Sequence, residues 1–105
     1  MFSVSKIEKG IRIENLALTL KFIIYCKKRQ FKAKNLANQS GLGGRLFGGS
    51  LRTLVRDGYL TVERSSRSSR ISRYNVKNFE ELERYYEEIK SKLPEEFVES
   101  VLEDV

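Results

Sequence analysis

The chain has 105 residues, with 20 Lys and Arg against 14 Asp and Glu, no His, one Cys and a formal net charge of +6 at pH 7. Without histidine a Ser-His-Asp triad and an H-E-x-x-H metal site are impossible, and one cysteine excludes an internal disulfide and any multi-cysteine zinc site. The charge is split along the chain: residues 1–77 carry 17 basic and 4 acidic side chains, residues 78–105 carry 3 and 10.

The basic part, at +13, calls for a polyanionic partner, and nucleic acid is the commonest one. The length fits one domain, and an apolar fraction of 40% is enough for a modest core that dimerisation would enlarge. No apolar run approaches the roughly 20 residues that span a bilayer. The best candidate, Leu16–Cys26, is short and is interrupted by Lys21. The first residues lack the apolar stretch of a signal peptide, so a cytoplasmic, nucleoid-associated protein is expected, with no membrane partner.

In chain order, residues 14–29 read as a helix. Ile13, Leu16, Ala17, Leu20, Ile23 and Ile24 form one apolar stripe, with Cys26 expected as a buried thiol. Leu18, Phe22 and Tyr25 form a second stripe, which calls for a second contact, either the C-terminal segment or another subunit. Lys27, Lys28 and Arg29 suit the C-terminal end of this helix through the dipole. Residues 33–40 suggest a short second helix with Leu36 and Ala37 buried, ended by Gly41. Residues 45–57 suggest a third helix with Phe47, Leu51, Leu54 and Val55 inward. Gly48-Gly49 leaves its start open: the helix runs through both glycines, or begins near Gly49 or Ser50 after a flexible loop over 43–49.

Residues 59–64 and 71–76 have strand composition, with Leu60 and Val62 on one face and Tyr74 and Val76 paired likewise. Arg64, Arg67, Arg70 and Arg73 punctuate the connection between them at every third position. Three is not a strand period, so these arginines fan out around a hairpin tip. The interleaved serines are phosphate-binding groups or, read otherwise, phosphorylation sites that would cancel the charge. Residues 79–93 return to helical spacing after Asn78 as N-cap, and Pro94 opens a last short helix. Leu82, Tyr85, Tyr86, Ile89 and Leu93 form the apolar face of the acidic segment.

The motifs L-A-N-Q-S-G-L (36–42), the inward set Phe47, Leu51 and Leu54, and L-V-R-D-G-Y-L-T-V-E-R (54–64) followed by R-Y-N-V resemble a winged helix-turn-helix. The C-terminal helix after the hairpin resembles the dimerising helices of PadR-like and similar small regulators. The resemblance implies an α+β fold, mainly helical, in the order α-α-α-β-β-α(-α). It implies a winged domain over 1–77 and an acidic dimerisation segment over 78–105. It also implies a dimeric repressor of transcription that binds double-stranded DNA, with the third helix in the major groove and the hairpin on adjacent backbone or minor groove.

On that reading the third helix displays Arg45, Leu46, Gly48, Gly49, Arg52, Thr53 and Arg56. Arg45 and Arg52 are the main candidates for base or phosphate contact, and the glycines for close backbone approach. Arg64, Arg67, Ser68, Arg70 and Arg73 serve the hairpin, and Lys32, Lys34 and Asn35 serve the start of the second helix. With two glycines in the reading helix, direct base readout should be sparse and DNA shape more important. Leu18, Phe22, Tyr25, Leu82, Tyr85, Tyr86, Ile89 and Leu93 are the expected dimer interface. Alternatively, the acidic segment folds over its own domain. No cofactor, metal or small-molecule ligand is indicated, and an enzyme is disfavoured because G-L-G-G (41–44) lacks the Lys-Ser/Thr of a phosphate-binding loop. Other roles left open are a partition or architectural protein that spreads along DNA, an RNA binder and a protein-interaction module.

Overall fold

The computed structural model describes residues 7–8, 11–40, 43–67 and 70–102. It is mainly helical with a small three-stranded antiparallel sheet, an α+β architecture. Strands β1 (Ile7–Glu8) and β2 (Ile11–Arg12) pair as a short N-terminal ladder that leads directly into helix α1 (Ile13–Cys26). The first stripe of α1 is the centre of the core: Ile13, Leu16, Ala17, Leu20 and Ile23 are all buried. Thr19 is buried among them because its hydroxyl donates to the Asn15 carbonyl at 2.8 Å, which satisfies the one polar group it brings inside.

Helix α1 stops three residues earlier than its spacing predicts. Lys27 takes a left-handed backbone conformation (φ 56°), which ends the helix and turns the chain into strand β3 (Gln30–Phe31). Lys27, Lys28 and Arg29 therefore follow the helix and do not form its last turn. β3 is held by pairing with β5 (Ile71–Val76), Gln30 opposite Asn75 and Phe31 opposite Tyr74. The Phe31 and Tyr74 rings stack at 5.7 Å, and the Val76 N–H donates to the Arg29 carbonyl at 2.7 Å. Cys26 is half-buried, and its thiol donates to the Ile23 carbonyl at 3.1 Å.

Helix α2 (Ala33–Ser40) buries Leu36 and Ala37, as its composition predicts. The expected turn residues Gly41 and Leu42 lie outside the described residues. Helix α3 (Gly44–Arg56) runs through Gly48-Gly49, so the late start and the loop over 43–49 are both corrected. Phe47, Leu51 and Leu54 anchor it fully in the core, and Ser50 and Thr53 turn their hydroxyls back to the carbonyls of Leu46 (3.3 Å) and Gly49 (3.1 Å). That anchorage outweighs the roughly 2 kcal/mol that two interior glycines cost a helix. The chain leaves α3 through Gly58 at φ 87°, a left-handed position that glycine occupies without strain.

Strand β4 (Leu60–Arg64) pairs with β5, which lies in the middle of the order β3-β5-β4. Leu60 faces Val76 and Val62 faces Tyr74, and both pairs cover the core side. Helix α4 (Phe79–Ser91) opens on Asn78, whose side-chain oxygen accepts from the Glu80 and Glu81 amides at 2.9 and 3.2 Å. Helix α5 (Glu95–Phe97) continues into a π-helical turn at Val98–Leu102.

One core cluster runs from Ile13 to Leu102, so the boundary expected after residue 77 does not divide the packing. Leu82, Tyr85, Ile89 and Leu93 are buried in this cluster, as are Phe97 and Leu102. Tyr85 stacks on Tyr59 at 4.6 Å, and the Lys21 ammonium donates to the Val101 carbonyl at 2.8 Å, tying the C-terminal turn to α1. No helix among the described residues is long and apolar enough to cross a membrane.

Candidate nucleic-acid interface

Burying Phe47, Leu51 and Leu54 leaves the opposite side of α3 to solvent, because the helical period places Arg45, Gly48, Arg52 and Arg56 together there. The three arginines are exposed, and a Cβ built at Gly48 meets nothing within 4 Å. Beside this stripe lies a cleft of about 470 Å³ between α3 and the start of α1, lined by Arg12, Glu14, Asn15, Arg45, Leu46, Gly49 and Arg52. Three guanidinium groups and one carboxylate share it. One Glu14 carboxylate oxygen is buried and accepts no hydrogen bond among the described residues. Such an orphaned acceptor ordinarily costs about 1–3 kcal/mol, more when charged. Leu46 is 49% exposed, one of two large apolar side chains so placed among the described residues.

The hairpin adds to this surface from the other side. An irregularity between Glu63 and Arg64 puts Arg64 opposite Ile71 at the end of the β4–β5 ladder. Strand β4 packs against α3, which sets the hairpin beside that helix. Burial raises the Tyr74 hydroxyl pKa above its ordinary 10.0, and the charges of Arg52 and then Arg64 oppose that shift. Beyond Arg64, the Ser65 N–H donates to the Arg70 carbonyl at 2.8 Å, and the Arg67 N–H to the Ser65 hydroxyl at 3.2 Å. Arg67 and Arg70 are exposed. Ser68 lies outside the described residues.

Arg73 belongs to a different surface. It stands opposite Glu63, on the sheet face away from Tyr74, and donates to the Gln30 side-chain oxygen at 3.4 Å. With Lys28, Lys32 and Asn35 it lines a second cleft of about 480 Å³ along the β3 edge, floored by Phe31 and Leu36. Lys34 instead borders a hollow between α2 and α3, next to Gly44 and Phe47. Of the expected residues, Arg45 and Arg52 thus line the first cleft and Lys32, Asn35 and Arg73 the second. The hairpin arginines split between the two sides of the sheet, as their period of three implies.

Two expected contact residues are corrected. Thr53 is buried with its hydroxyl bonded to Gly49, and Gly49 is itself buried. Gly49 lines the cleft together with Glu14 and Asn15. The expected subunit contacts divide in the same way. Leu82, Tyr85, Ile89 and Leu93 are consumed by this chain's own core, so they present no face to a second copy. Tyr86 is half-buried, with the Lys90 ammonium 5.3 Å from its ring centre. Leu18 and Phe22 are half-buried and Tyr25 is 57% exposed, on the side of α1 turned away from its buried stripe.

The chain matches no protein-family model, no curated protein and no solved structure. The site therefore rests on its own geometry. Sequence reasoning missed Arg12 as a cleft residue, although I-R-I (11–13) marks a short extended lead into α1. It also missed Lys28 and Gln30, which become site residues only because β3 pairs with a strand more than forty positions away. No group of His, Cys, Asp and Glu able to hold a metal occurs among the described residues.

Proposed function

We propose that this chain is a winged helix-turn-helix protein that binds double-stranded DNA and regulates transcription by occupying its site. The observation that carries the reading is the cleft in which Arg45 and Arg52 of α3 stand with Arg12, on a helix that packs against β4 of the arginine-bearing hairpin. A helix and a hairpin that present guanidinium groups side by side suit a duplex, whose phosphates line both edges of each groove. The short β3 strand supports this reading by fixing the hairpin base to the segment between α1 and α2. The side of α1 that carries the half-buried Leu18 and Phe22 and the exposed Tyr25 is the face on which a second copy would pair.

Fluorescence anisotropy with a labelled duplex at a series of salt concentrations tests the proposal. Affinity should fall steeply with salt, and Arg52→Ala and Arg64→Ala should each weaken binding. The double variant Arg67→Ala/Arg70→Ala should flatten the logarithmic salt slope by about two units, close to 0.9 for each lost phosphate contact. Salt-independent binding, or none at low salt, contradicts the proposal.

A further inference from the structure

The cleft beside α3 has a composition that a phosphate cradle does not need. Lining such a cradle requires only cations and neutral donors. This cleft also holds a half-buried carboxylate, Glu14, and an exposed leucine, Leu46. A carboxylate repels phosphate and a leucine is indifferent to it. Both have matches on the edges of bases: a carboxylate accepts from the cytosine amino group, and an apolar side chain packs on the thymine methyl. Arg45 and Arg52, in the same cleft, carry the groups that read guanine.

We infer that this cleft reads base edges in the major groove, and that Leu46 is the specificity-determining contact for a thymine methyl group. The inference rests on the duplex-binding reading and deepens it. It replaces the expectation of sparse side-chain readout, because the side chains that read come from the edge of α3 and the start of α1. Gly48 and Gly49 supply none of them. Leu46 holds this position because Phe47 beside it is locked in the core and the Ser50 hydroxyl donates to the Leu46 carbonyl at 3.3 Å.

The test starts from a random duplex library, from which the wild-type chain selects its best binder. Each thymine in that duplex is then replaced, one at a time, by deoxyuridine, which removes only the methyl group. Wild-type affinity should drop about fourfold at one or two positions, as expected for one buried methyl. In Leu46→Ala the same positions should become indifferent to the methyl group, and Leu46→Met should restore most of the discrimination. Leu46 is exposed, so both variants should keep the wild-type melting temperature, which checks that they fold. Duplex binding with no methyl-sensitive position, or methyl sensitivity that survives in Leu46→Ala, overturns this inference while leaving duplex binding intact. Failure to select any duplex overturns both.

Discussion

At the scale of single residues, Gly48 and Tyr74 give the sharpest expectations. Gly48 sits in a helix with open space above it, so nothing in the fold requires glycine there. Gly48→Ala should raise stability by about 0.5–1 kcal/mol in urea unfolding. If α3 lies close against a duplex, the same methyl group should weaken DNA binding, separating function from stability at one position. Tyr74 adds a pH dependence. Its pKa is raised in the folded chain, first by burial, so the folded state disfavours the phenolate. The stability it contributes is complete below 10.0, the value expected in the unfolded chain, and is lost as pH rises through the folded value. Tyr74→Phe should therefore flatten the alkaline decline in unfolding midpoint above about pH 10.

At the scale of elements, the C-terminal helices are the main departure from expectation. Leu82 and Ile89 are fully buried in the shared core, so Leu82→Ala and Ile89→Ala should each cost about 2–5 kcal/mol in denaturant unfolding. A dissociated yet fully stable monomer would contradict that packing. The sequence makes the existence of α1, α2, α3 and α4 legible, because their apolar positions recur with the helical period. It also reveals the hairpin, because Leu60, Val62, Tyr74 and Val76 alternate. Where α1 stops was hidden. Lys27 adopts its left-handed turn because Gln30 and Phe31 pair with β5, and a two-residue strand leaves no alternation to find. Whether the stripe of α4 faces a second copy or its own chain is equally hidden, since an apolar face does not name what covers it.

At the scale of the whole molecule, the candidate site depends on contacts that join distant parts of the chain. Arg45 and Arg52 stand out in the sequence as basic residues interleaved with the apolar anchors of α3, and Arg64 as the first of the arginines at every third position. Arg12 joins Arg45 and Arg52 only because β2 and α1 pack against α3. With α4 spent on the core, a dimer of this chain would pair through Leu18, Phe22 and Tyr25. Phe22→Glu should then yield monomers in sedimentation velocity without loss of helix content, and should lower affinity for a duplex carrying two half-sites more than for a single half-site. The ten carboxylates of residues 78–105 disfavour docking of that end on phosphates and would orient the chain on DNA.

The central claim is that α3 and the β4–β5 hairpin form one duplex-binding surface. Titrating the isotope-labelled chain with a duplex and following its amide resonances tests this most directly. Shifts should concentrate in residues 44–56 and 60–73 and near Arg12, with α4 and α5 unmoved. Shifts centred on residues 79–102, or none at low salt, would contradict it.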